Sequence, residues 1–166
     1  AALTNAIAGD SVAATATGAA YNSKNVAAAS TIGYTGVALS GADAGNYSLA
    51  ATTAQGAGTI TARELTLGTV ASQSKTYDGT RAADASKFSA ALNNAVAGDN
   101  VTAAAAGATY NDHNVAAART IDYTGVSLGG SDAGNYSLAA TAAQGEGRIT
   151  PKELNLALTG GARFDK

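Results

Sequence analysis

The ten residues DAGNYSLAAT stand at positions 43–52 and again at 132–141, 89 positions further on. Shifting the chain by that interval aligns residues 3–67 with 92–156 without a gap, and about two-thirds of the aligned positions are identical. A gapless repeat of this length requires that one apolar pattern be folded twice. The chain has 166 residues, fewer than two full periods, so at least one copy is incomplete. The terminal string ARFDK is similar to KTYDG at 75–79 with two positions deleted, and reads as the start of a third copy.

Each copy alternates as strands with one buried face do. Ile121 and Tyr123 alternate with Thr120, Asp122 and Thr124; after Gly125 the apolar phase flips to Val126 and Leu128, which predicts a β-bulge at the glycine. Ile32, Tyr34, Gly36, Val37 and Leu39 repeat this in the first copy. Tyr136, Leu138 and Ala140 make another alternating run, as do Leu154, Leu156 and Leu158, with Gly, Asn, Asp and Ser between the runs. The alanine tract 103–106 is short and walled by Val101, Thr102 and Gly107, so strand is expected there despite the helix propensity of alanine. Phe88, Leu92 and Val96 fall four apart and leave a short helix over 87–96 open.

The spacing Asp132, Gly134, Tyr136, repeated as Asp43, Gly45, Tyr47, matches the entry to a late strand in immunoglobulin-type sandwiches, where the tyrosine hydroxyl bonds back to upstream backbone. A plain polar turn before a core tyrosine is the alternative. The expected fold is therefore all-β, a tandem repeat of immunoglobulin-like β-sandwich modules. β-Grasp-like modules are the alternative, favoured if 87–96 is helical.

Composition narrows the function classes. Charged residues make up 13%, the net charge is −2 and no lysine or arginine cluster exists, so the footprint of a nucleic-acid binder is missing. The apolar runs are far shorter than the ~20 residues a membrane helix needs. Without cysteine there are no disulfides or thiolate metal sites. The sequence begins at Ala1 with no basic-then-apolar leader, and is expected to be a piece of something longer or a processed product. Only 5% of residues are aromatic, and small side chains fill a thin core that gains stability by abutting neighbours.

Neither catalytic residues nor a metal or cofactor site are expected. The single histidine, His113, is replaced by Lys24 in the first copy, which a catalytic base would not tolerate. Asp10, Asp99, Asp43 and Asp132 lack the spacing of a calcium loop and are expected to cap turns. Tyr21, Tyr34, Tyr47 and Tyr77 recur as Tyr110, Tyr123, Tyr136 and Phe164, and the last exchange marks a packing position. Tyr110 with Asn111, Asp112 and Asn114 is the candidate glycan site, because a ring with polar neighbours suits a pyranose face; the alternative is a polar hairpin loop beside a core ring.

KTYDGT at 75–80, VAGDNV at 96–101, ATYNDHNV at 108–115, TIDYTGVSLGGSDAGNY at 120–136 and RITPKEL at 148–154 together resemble the YDG-type repeat domain of bacterial filamentous-haemagglutinin-like surface adhesins. Tyr77, Asp78 and Gly79, with the Asp-x-Gly-x-Tyr sets above, carry the motif. Departures are Phe164-Asp165-Lys166 in place of Tyr-Asp-Gly, and a first copy without its opening segment. The resemblance implies a stalk repeat of a secreted, extracellular adhesin at the bacterial cell surface, contributing to attachment or biofilm, with neighbouring repeats of the chain as partners and no enzyme activity. A module recognising a matrix or cell-surface polysaccharide is the alternative. It also favours residues 1–62 as a first module lacking its opening, 63–151 as a complete one and 152–166 as the start of a third, over two halves, 1–77 and 90–166, joined by 78–89. An incomplete module leaves an open edge, so head-to-tail self-association by strand addition through Leu154, Leu156 and Leu158 is expected.

Overall fold

The computed structural model describes residues 3–157 and 160; Leu158 and the Phe164-Asp165-Lys166 end of the expected third copy lie outside the described residues. The protein is all-β. Among the described residues, helix is confined to three single 3-10 turns, at Ala44–Asn46, Ala85–Lys87 and Ala133–Asn135.

The chain divides into two compact units, Ala1–Glu64 with Ser131–Ser137, and Leu65–Gly130 with Leu138–Lys166. In the first unit, β1 (Ala13–Thr15), β2 (Gly18–Tyr21), β3 (Thr31–Thr35), β4 (Ala38–Ser40) and β5 (Thr53–Ala57) form an antiparallel pair, β1-β4, and an antiparallel sheet, β2-β3-β5. Next come β6 (Arg63–Val70), β7 (Gln73–Thr76), β8 (Ala90–Asn93), β9 (Thr102–Ala104), β10 (Gly107–Tyr110), β11 (Thr120–Thr124), β12 (Ser127–Gly129), β13 (Tyr136–Leu138) and β14 (Ala142–Thr150). They form a four-stranded sheet β10-β11-β14-β7, a pair β12-β9 and a three-stranded sheet β13-β6-β8. The two copies share their register: Ala19 faces Tyr34 and Ala108 faces Tyr123, while Ile32 faces Gly56 and Ile121 faces Gly145.

Two local expectations are corrected. Beyond Lys87, which ends the 3-10 turn Ala85–Lys87, residues 88–96 are not helical: Phe88 is buried, Leu92 lies in β8 opposite Leu67, and Val96 is exposed in a turn. Pairing with β6 satisfies that backbone better than an isolated short helix, whose nucleation is costly. Gly125 is not a bulge within one strand, because β11 and β12 belong to different sheets and the glycine, at φ +61°, is where the chain changes sheet. A Cβ there would lie 2.9 Å from that of Ala106, so the change of sheet needs glycine for both angle and space. The alanine tract does begin as a strand, in β9.

The core of the second unit is Phe88, Tyr110, Ala118, Ile121, Tyr123, Val126 and Ile149, with Leu67 and Val70 packed against it. Phe88 meets Tyr123 in a tilted pair with ring centroids 4.9 Å apart, an arrangement worth about 0.5–1.5 kcal/mol beyond the buried area. In the first unit, Ala29 is the one buried apolar residue among the described ones outside 131–137. The second unit is covered by Leu67, Val70 and Phe88, from residues 65–90, a stretch with no equivalent among the described residues of the first copy.

Candidate functional site

Tyr110 is 1% exposed. Its ring lies beneath the Lys75 ammonium, 5.4 Å from the centroid, and its hydroxyl donates to the Gln73 carbonyl at 3.4 Å. Burial pushes the phenol pKa up. A ring so placed is core and offers no face for a sugar to stack on.

The polar residues beside it hold the loop together. Asn111 Oδ1 accepts the backbone N–H groups of Arg119 and Thr120 at 2.9 and 3.0 Å, and its Nδ2 donates to the Ala117 carbonyl at 3.0 Å. Asn22 makes the same three bonds to Ser30, Thr31 and Ala28 in the first copy. Asp112 Oδ1 accepts the Asn114 N–H at 2.6 Å, which holds that carboxyl below the usual carboxylate range. In the first copy a serine does the same work: Ser23 Oγ accepts the Asn25 N–H at 3.1 Å. His113 sits at the surface with Nδ1 3.8 Å from Asp112.

The KTYDGT stretch closes on itself around one lysine. Lys75 Nζ donates to Asp78 Oδ1, the Thr80 carbonyl and the Ala82 carbonyl, each at 2.9 Å, and to Thr80 Oγ1 at 3.1 Å. Asp78 Oδ1 also accepts the N–H and hydroxyl of Thr80, and Gly79 turns the chain at φ +82°. Beyond this turn the segment clasps β10: Tyr110 N–H donates to the Arg81 carbonyl and Arg81 Nε to the Tyr110 carbonyl, both at 2.8 Å. Tyr77 itself is partly exposed, its N–H bonded to the Thr150 carbonyl at 2.8 Å.

These bonds need ionised Asp78, and the Lys75 ammonium with the Thr80 donors holds its pKa at about 2. The folded value is below the unfolded one, near 4. The contribution to stability is therefore present above about pH 4 and is lost as the pH falls through about 2. Asp84, held low by the Ser86 hydroxyl, and Asp112 act in the same direction. Acid titration followed by circular dichroism is expected to show Asp78→Asn less sensitive than the wild type between pH 4 and 2. Parallel curves would remove Asp78 from the acid response.

Tyr47 directly follows the 3-10 turn Ala44–Asn46. Its hydroxyl accepts the Ile7 N–H at 3.0 Å and donates to Asp10 at 2.5 Å, and the Asp10 bond pushes the phenol pKa up. Asp43 does not cap its own 3-10 turn. It reaches across the chain, its carboxylate accepting the Ser11 N–H at 2.8 Å while its own N–H donates to the Ser11 carbonyl. Tyr47→Phe should lower the thermal midpoint by leaving the Ile7 N–H and Asp10 without this partner, whereas Tyr77→Phe should leave it unchanged. Equal midpoints for both variants would contradict the bonded role of the Tyr47 hydroxyl.

A contact that the sequence reading missed lies within the first unit. The turn carrying Asp132, Gly134 and Asn135 meets the loop 24–26: Val26 N–H donates to Asn135 Oδ1 at 2.9 Å, Asn135 Nδ2 donates to Asn25 Oδ1 at 3.1 Å, and Lys24 Nζ lies 3.8 Å from Asp132. Repetition of DAGN and of YN-x-x-NV was the available signal, but repetition does not say which copy meets which.

No group of three or more His, Asp or Glu side chains comes together among the described residues. A depression of about 790 Å³ on the second unit lies between Ser72–Ser74 and the strand segment 146–148, with Arg119, Glu146 and Arg148 at its polar wall and no aromatic ring. No described helix is long and apolar enough to cross a membrane.

A family model described as the YDG domain matches residues 1–54 and 61–143. The chain matches no curated protein and no solved structure. The matched residues take in the Lys75 clasp, both asparagine loop clamps and both DAGN turns, and they cover well over half of the sequence: the chain belongs to the YDG domain family.

Proposed function

We propose that this chain is a structural stalk segment of a secreted bacterial adhesin, built of immunoglobulin-like β-sandwich repeats in tandem, and that it holds an adhesive region away from the cell surface without chemistry of its own. One observation carries the reading: the polar groups of the family motifs are spent inside the fold. Lys75 and Asp78 close a turn, Asn22 and Asn111 clamp loops, and Asp43 and Tyr47 bond to upstream groups. A spacer needs self-satisfied turns and small repeated strands; a binding site needs donors and acceptors directed outward. Burial of Tyr110 also weighs against the polysaccharide-binding alternative at the loop 110–114.

Two experiments test this. The purified chain, presented to a panel of matrix and cell-surface polysaccharides in calorimetry, should show no binding; saturable binding lost in Asn114→Ala would favour the glycan module. Antibodies raised against the chain should label intact cells of the source bacterium. Labelling only after permeabilisation would overturn the extracellular stalk.

A further inference from the structure

We propose that the face formed by the loop 113–115 and the segment 151–156 docks the turn and following residues 43–50 of a second copy of this chain, so that the molecules add head to tail. The inference is independent of what the parent protein attaches to.

The chain already contains one such docking. Within the first unit, the DAGN turn of the second copy sits on Asn25 and Val26 of the first. The same DAGN turn recurs with Asn46 in the place of Asn135, and the same Asn-Val pair recurs as Asn114-Val115. Neither meets its counterpart among the described residues. The Asn46 side chain and the Val115 N–H make no hydrogen bond among the described residues. Asn114 is exposed, its backbone N–H donates to Asp112 Oδ1 at 2.6 Å, and its carboxamide oxygen is an acceptor.

An independent pair of unmatched segments lies at the same register. In the second unit Leu65 is fully buried and its carbonyl accepts the Ala139 N–H at 3.0 Å. One period on, Leu154 and Leu156 are 87% and 91% exposed and form no strand. One period back from β13, Tyr47, Ser48 and Leu49 form no strand either, and the Ala50 N–H makes no hydrogen bond among the described residues. Leu154 of one molecule and Ala50 of the next thus stand in the relation of Leu65 to Ala139. A cleft of roughly 400 Å³ lined by Asn114, Val115, Pro151, Lys152 and Leu154 places the loop and the strand segment side by side. Two exposed leucines and an unpaired backbone edge suit strand addition, and the Asn46 carboxamide adds two directional bonds. The surfaces differ on the two partners, so the contact is heterologous and each molecule can both donate and accept one.

The test is sedimentation velocity on the 166-residue chain over a wide concentration range. The wild type should form a ladder of oligomers. Asn46→Ala should weaken association about tenfold by removing two hydrogen bonds. His113→Lys, which restores the lysine found at Lys24, should strengthen it up to a few-fold through the exposed pair with Asp43. A variant with Leu154→Asp and Leu156→Asp should not donate a strand, and one with Asn46→Ala and Leu49→Asp should not accept one. Each should be monomeric with an unchanged circular dichroism spectrum, and their mixture should give dimers and nothing larger. A monomeric wild type at every concentration, association that survives in either variant, or a mixture that stays monomeric would each overturn the proposal.

Discussion

At protein concentrations below those of self-association, Leu65→Ala is expected to destabilise the second unit by about 2–5 kcal/mol, while Leu154→Ala leaves it within about 0.5 kcal/mol. Both leucines stand in the same string, Glu-Leu-x-Leu, one period apart. Leu65 has no exposed surface and lies in β6, so truncation leaves a cavity that a paired strand cannot close. Leu154 is already in water, and removing it creates no void. Because the chain has no tryptophan, tyrosine emission and circular dichroism during urea unfolding are the appropriate probes, with the loss read from the shift in midpoint. Similar losses at the two positions would show that Leu154 is covered in solution. In that case the concentration dependence of the midpoint would report self-association.

Tyr110→Ala should cost about 3–5 kcal/mol, whereas Tyr21→Ala, the equivalent substitution one period earlier, should cost about 1 kcal/mol or less. Tyr110 is sealed by what precedes it in the chain: Lys75 lies over its ring and Arg81 brackets its backbone. Tyr21 is 46% exposed, and the described residues that precede it, 3–20, carry no KTYDGT string. Hydrogen exchange would locate the loss, with amides of β10 and β11 losing protection in Tyr110→Ala and those of β2 and β3 nearly unchanged in Tyr21→Ala. A comparable loss from Tyr21→Ala would mean that the first unit buries its ring after all.

Sequence reading left two alternatives open at the candidate glycan residues for an identifiable reason. A tyrosine followed by Asn, Asp and Asn is the same string whether the ring faces solvent or core. Period-2 alternation puts Tyr110 on one face of β10, but which face is covered depends on β7 and the clasp at 75–82, which reach it from some thirty residues upstream. Asn111 likewise reads as a sugar ligand or as a loop clamp, and its three bonds to residues 117, 119 and 120 decide for the clamp.

What the sequence alone determined is local and periodic. The repeat, the all-β character, the strands at β9 and β11 and the tyrosine turn at Asp43, Gly45 and Tyr47 follow from alternation and from glycine and aspartate at turns, properties read within about ten residues. Tertiary structure decided everything that depends on a partner strand. The stretch around Leu92 has helical spacing but lies opposite Leu67 in β8; Gly125 ends one sheet instead of bulging a strand; Tyr21 and Tyr110, nearly identical in sequence context, differ in burial. The physical reason is that sheet hydrogen bonds and core contacts join residues far apart in sequence. A strand therefore takes its burial from whichever segment lies against it, and the two copies have different segments there.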